Sequence, residues 1–220
     1  MGISKKFMFV VIMLLSFCLV GSVYAYGINN PGFETGDLSG WTYGGQAGVQ
    51  SDIVYEGSYA AYIGTVDFNN DNLNDFTGEA GTEGYTNNWI SQTITVTGMK
   101  ALKLWYNFYT WDYEGWDEPG FEIQINGDPV LSIWAKDIDT SGDWTTLDST
   151  GWQLFTYDLT GYNEDTLELT IYAGNTGDEI LQSWVYIDKV SLTPVPLPGS
   201  FSLLLLGSGL IGMAFRRVRA

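Results

Sequence analysis

Histidine is absent from this 220-residue chain, cysteine occurs once, as Cys18, and arginine occurs only at Arg216, Arg217 and Arg219, within the last five residues. Without histidine, a Ser-His-Asp or Cys-His nucleophile system has no base, and zinc lacks its preferred ligands. Cys18 falls in a leader-like segment, so the remaining chain has no thiol and cannot be stapled by a disulfide. Its stability must come from a packed core, with or without a metal. Positive charge is nearly as scarce. Residues 26–194 hold four lysines (Lys100, Lys103, Lys136 and Lys189) against all 26 acidic residues, a formal charge of −22. A field of that sign repels phosphate backbones and anionic lipid, which argues against nucleic acid as a partner and against polyanionic glycans; cations are attracted.

The two ends are apolar. Lys5 and Lys6 precede the apolar run 7–20, and Val23-Tyr24-Ala25 provides small residues where a signal peptidase reads, so residues 1–25 are expected to be a signal peptide cleaved after Ala25. At the other end, Val195-Pro196-Leu197-Pro198 leads into the nearly uncharged run 199–215 and then the arginines. As a helix this run spans about 25 Å, slightly short of the roughly 30 Å hydrocarbon layer, a gap that snorkelling arginines and local thinning can close. The arginines should stay on the cytoplasmic side and place the body of the chain outside. Pro196, Pro198, Arg216, Arg217 and Arg219, around a glycine-punctuated apolar stretch, resemble the PEP-CTERM sorting tail, with Leu197 where that family has glutamate. The resemblance implies a Gram-negative exporter, transient anchoring in the inner membrane by a helix at about 199–215, and an exosortase-type enzyme as partner. The final location would be the envelope surface or the extracellular matrix.

Between these segments lies one body, residues 26–194, long enough to bury about 70% of its unfolded surface as a single domain. Its pattern is that of strands. Residues 121–125 alternate apolar and polar, and Asn126-Gly127 turns the chain into 130–134, the strongest hairpin signal present. Further strands are expected at 41–43, 47–54, 58–63, 89–96, 101–110, 152–159, 166–173 and 183–192, with no convincing helical period. The fold class is therefore all-β, an antiparallel sandwich. Asn30-Pro31-Gly32-Phe33-Glu34 with Gly40-Trp41, Gly57-Ser58-Tyr59-Ala60-Ala61, Gly151-Trp152-Gln153-Leu154-Phe155 and Tyr186-Ile187-Asp188-Lys189-Val190 resemble the galactose-binding-like jelly rolls, which include many carbohydrate-binding modules. The resemblance implies a jelly roll holding a structural calcium between Glu34 and Asp188, with backbone carbonyls around Gly57 completing the shell.

A second, weaker calcium loop is spelled by Asp137, Asp139, Ser141 and Asp148, which put oxygens at positions 1, 3, 5 and 12 with Gly142 at position 6. Asp67 to Asp71 begins similarly but lacks the glycine, and 67–83 is read as a solvated loop. Trp111, Tyr113 and Trp116 interleave with acids between two strands, the pairing of ring face and carboxylate that sugars exploit, and are the candidate glycan contacts; Trp105, Trp134 and Trp184 read as packing. The only catalysis left open is carboxylate chemistry, and 26 acids make any single pair uninformative. The expectation is an exported, non-catalytic β-sandwich binding calcium and neutral polysaccharide. A matrix protein without a small ligand and a carboxylate glycosidase remain as alternatives.

Overall fold

The structure is a computed structural model that describes residues 27–66, 85–113, 120–139, 142, 145–175 and 181–196. The expected signal segment with Ala25, the expected loop at 67–83, Trp116, Ser141, and Pro198 with the expected tail helix and its arginines lie outside the described residues.

Period-two alternation sets the architecture, because successive strand residues point to opposite faces. Among the described residues eleven strands result: β1 (Thr42–Gly44), β2 (Ala47–Gln50), β3 (Ala60–Gly64), β4 (Trp89–Thr95), β5 (Met99–Thr110), β6 (Phe121–Ile125), β7 (Asp128–Ile133), β8 (Asp148–Ser149), β9 (Gln153–Asp158), β10 (Thr166–Ala173) and β11 (Ser183–Pro194). They form two sheets. One runs β1-β4-β10-β6-β7; the other runs β2-β3-β11-β5-β8, with β9 also paired to β5. Every ladder is antiparallel, and most sheet neighbours are distant in sequence, so the chain crosses repeatedly between layers. This is the antiparallel sandwich expected from the alternation and turns, in the jelly-roll class that the resemblance implied.

The facing sides of the two sheets share one apolar core. Ile90 and Ile94 of β4, Leu102, Leu104 and Phe108 of β5, Phe121 and Ile123 of β6, Leu167, Leu169 and Ile171 of β10, and Val185 and Ile187 of β11 are all fully or almost fully buried there. Gln92 also points inward, and its amide holds the N-terminal segment down through Asn29 N–H (2.8 Å), Asn29 C=O (3.0 Å) and Gly40 C=O (2.9 Å). The β6–β7 turn is the Asn126-Gly127 pair, both at positive φ (53° and 84°), the left-handed geometry a two-residue hairpin needs. A smaller cluster of Val66, Trp111, Trp184 and Tyr186 sits on the outer side of the six-stranded sheet.

Two features depart from the sequence reading. A single helical turn, α1 (Ala135–Ile138), follows β7, because Asp137 accepts the Trp134 N–H (3.0 Å) and closes the turn. In β11 the register slips between Asp188 and Ser191, and Lys189 takes φ 49° at the bulge. That bulge shapes the first of two candidate sites.

Candidate functional site: an acidic cleft and an aromatic sheet face

The early motif and the last strand meet at the bulge. Asn30 and Phe33 hold positive φ (47° and 58°), and with Lys189 they make three of the four such non-glycine residues among those described. Backbone strain of this kind persists only where the surroundings enforce it. It bends 30–34 around a cleft of about 340 Å³ lined by Glu34, Gly57 and Asp188 among others. Asp188 is 1% exposed. Its Oδ2 accepts the N–H groups of Tyr55 (3.0 Å) and Glu56 (2.9 Å), and its Oδ1 that of Lys189 (2.6 Å). Glu34 accepts the Ser58 N–H (3.0 Å to Oε1, 3.2 Å to Oε2) and the Tyr59 N–H (3.2 Å). Two carboxylates thus fasten one loop at four backbone amides.

Burial pushes the Asp188 carboxyl above its usual range; the three backbone hydrogen bonds oppose this, and the Glu34 charge adds to it. The two acids therefore sense each other across the cleft, an arrangement a cation would relieve. Glu56 is engaged by the Lys189 ammonium. Among the described residues no three acidic side chains gather into a metal cluster. An ion held by Glu34 and Asp188 must draw the rest of its six to eight oxygens from backbone carbonyls and water. Gly57 (φ 81°) is fixed by this geometry, since a Cβ there would lie 2.2 Å from Glu34 Oε1. Gly57→Ala is expected to destabilise the fold by about 2–4 kcal/mol through combined strain and displacement of Glu34, measurable by urea denaturation; a change below about 0.5 kcal/mol would contradict this geometry.

The other sequence candidates are placed separately. Asp137 caps α1, Asp139 accepts the Gly142 N–H (2.8 Å), and Asp148 is buried at the start of β8 opposite Thr110. Trp111 is 7% exposed and packs with Trp184 and Tyr186, while Tyr113 is half-buried beside Asp112. Trp105, expected to pack, stacks on Tyr55 (4.0 Å between centroids, 15° between planes), the residue whose amide Asp188 holds.

The second site was missed in the sequence reading. On the outer side of the five-stranded sheet, cross-strand pairing aligns Gly44, Trp89, Tyr172, Glu122 and Ser132 in one row across all five strands. Thr42, Ser91, Thr170 and Gln124 form the adjacent row. Trp89 and Tyr172 are half-buried neighbours one strand spacing apart, about 4.8 Å. Gly44 makes room for the indole, because a Cβ there would lie 2.5 Å from Trp89 Nε1. Glu122, 5% exposed, accepts Gln124 Nε2–H (2.5 Å) and Ser132 Oγ–H (3.0 Å). Thr170 Oγ–H donates to Ser91 Oγ (3.0 Å), which donates to Glu168 (3.3 Å). Burial raises the Tyr172 phenol, and the charges of Glu168 and Glu122 raise it further. An aromatic pair flanked by oriented carboxyl, amide and hydroxyl groups suits a ligand with apolar faces and hydroxyl rims.

β11 ends at Pro194, and the Val195 N–H still bonds Gly98 C=O (3.0 Å) before the chain enters Pro196. Residues 194–219 match the PEP-CTERM protein-sorting motif. The PEP-CTERM tail marks the chain for export and for C-terminal anchoring before sorting, and it begins at the last residue of the final strand. Among curated proteins no sequence matches this chain. Solved structures similar in fold include the Caldicellulosiruptor saccharolyticus module CBM27-1 in complex with mannohexaose (15% identity, TM-score 0.41, covering 80% of this chain and 100% of that one). Others are TmCBM61 in complex with β-1,4-galactotriose (17%, 0.40, 78% and 99%) and the K2 cleaved adhesin domain of Lys-gingipain (14%, 0.40, 80% and 95%). Likeness this distant assigns no function.

Proposed function

We propose that the protein is a non-catalytic, polysaccharide-binding component of the envelope surface or extracellular matrix of a Gram-negative bacterium. A signal peptidase removes 1–25, the tail helix holds the chain transiently in the inner membrane, and an exosortase-type enzyme processes the PEP-CTERM tail. The observation that carries the binding role is the row Trp89-Tyr172-Glu122 on the outer side of the five-stranded sheet. Ring faces of Trp89 and Tyr172 stack against the C–H faces of pyranose rings, while Gln124, Ser132 and the acids orient hydroxyls. No lysine stands on these rows, and the surrounding field is strongly negative, so the fitting ligand is a polysaccharide free of anionic groups. The full chain, leader removed and solubilised in detergent, is expected to bind at least one such polysaccharide saturably. Failure across glucans, mannans, galactans and xylans would overturn the binding role and favour a purely structural matrix protein.

Glu34 and Asp188 are proposed to hold a structural calcium. Their mutual proximity, their orientation by four loop amides and the domain's surplus of acid support this. When bound, the ion would neutralise the two acids and pin the loop between Glu56 and Tyr59. An ion bound only by the native state stabilises by mass action, so excess chelator is expected to lower the melting temperature by several degrees and calcium to restore it. An unchanged melting curve removes calcium from the account and leaves the sheet face untouched.

A further inference from the structure

Glu122 is the odd member of the sheet row. It stands on an outer face, yet it is 95% buried, and both of its hydrogen-bond donors, Gln124 and Ser132, are neutral. Among the described residues the ion pair present is Lys189 with Glu56, in the acidic cleft behind the other sheet; Glu122 has no counter-charge. A desolvated carboxylate is normally paired with a cation or saturated with donors. Here two of about four acceptor positions are filled, one on each oxygen. Its cross-strand neighbour is Tyr172, whose own neighbour is Trp89. A pyranose ring lying over the Trp89–Tyr172 pair therefore presents its edge substituent one strand spacing further along, at Glu122.

We infer that the Trp89-Tyr172-Glu122 row recognises an amine-bearing sugar, with a protonated amino group of a hexosamine unit meeting the Glu122 carboxylate. This rests on the polysaccharide-binding role proposed above and narrows it to a chemical class. An ammonium supplies three donors and a positive charge, which match the open acceptor positions and the missing counter-ion. Glu168, bonded to Ser91 in the row between it and Tyr172, and raising the Tyr172 phenol through its charge, adds a second negative charge to the same face. An N-acetylated sugar carries neither the charge nor the extra donors, and a uronate meets two repelling acids.

A domain of charge −22 attracts any polycation, so the deciding comparison changes a single position. Short hexosamine oligomers of one length, with free or N-acetylated amines, are titrated calorimetrically into the full chain without its leader, in detergent, at a pH where the amine is charged. The free-amine oligomer is expected to bind at least tenfold more tightly. Glu122→Gln should abolish that preference, whereas Glu164→Gln, an equal change of charge on the β9–β10 loop, should preserve it. Because Glu122→Gln also alters the Gln124 and Ser132 contacts, the wild type is titrated at low and at roughly 0.5 M salt as well; the preference should collapse at high salt, where the Debye length falls to a few ångström. Equal affinity for both oligomers, or a preference that survives Glu122→Gln, overturns the inference while the polysaccharide role stands. Absence of binding to these oligomers and to every unmodified polysaccharide overturns both.

Discussion

Asp188→Ala is expected to lower the unfolding free energy by about 3–5 kcal/mol and the melting temperature by roughly 10–15 °C. The side chain is 1% exposed, and its two oxygens accept three backbone N–H groups, from Tyr55, Glu56 and Lys189. Truncation leaves those amides without their acceptor and frees the loop that carries Tyr55, so the Tyr55–Trp105 stack should loosen as well. Differential scanning calorimetry of the two proteins measures the first effect, and amide hydrogen exchange at Tyr55 and Glu56 the second. A loss below about 1 kcal/mol would show that the loop is held by something other than Asp188.

Asp188 also provides a charge-based test for the ion. Its folded pKa lies above its ordinary value, chiefly through burial, so without an ion the native state holds this proton more tightly than the unfolded chain does. That contribution to stability is fully present below the unfolded pKa and is lost as pH rises through the folded pKa. The stability advantage of the wild type over Asp188→Asn should therefore shrink with rising pH in chelator. A bound cation reverses the sign, because it pulls the folded pKa below the unfolded one, and the advantage should then grow with pH. Unfolding curves of both proteins at several pH values, with calcium and with chelator, distinguish the two slopes.

Trp89→Ala is expected to weaken polysaccharide binding by tenfold or more, the effect of losing a central aromatic worth about 1.4 kcal/mol or above. Its indole lies over Gly44, alongside Tyr172, on a face that no described cluster of apolar residues covers. Gly44→Ala offers the same test with the ring intact. A Cβ 2.5 Å from Nε1 must move the indole, and binding should fall although no ligand-contacting group has been removed. If Gly44→Ala binds normally, the orientation of Trp89 is not what the ligand reads.

The alternation in each strand was enough to place the core. Phe121, Ile123 and Ile125 in β6 and Leu167, Leu169 and Ile171 in β10 are inward in the structure as their spacing implied. The same spacing already put Glu122, Gln124, Glu168, Thr170, Tyr172, Trp89 and Ser91 outward. What a single sequence lacks is the register that turns three outward sets into one row, since the Tyr172–Trp89 and Tyr172–Glu122 pairings join residues from 50 to more than 80 positions apart. In the sequence Trp111, Tyr113 and Trp116 stand out instead, because there aromatics and acids are adjacent. Trp111 is buried because the outer side of the six-stranded sheet carries its own apolar cluster, a feature that alternation reads only as a second half-buried face. Glu34 and Asp188 each sit in a local motif, and the fold brings both to one cleft at the β11 bulge. How their oxygens are engaged, by amides of the loop around Gly57, depended on long-range closure.

The most direct test of the account is a titration of the full chain, leader removed, with polysaccharides free of anionic groups, comparing wild type with Trp89→Ala under conditions where both unfold cooperatively. Saturable binding by the wild type that is lost in Trp89→Ala is the result predicted. Binding of equal strength by both proteins, or none by either, would contradict it.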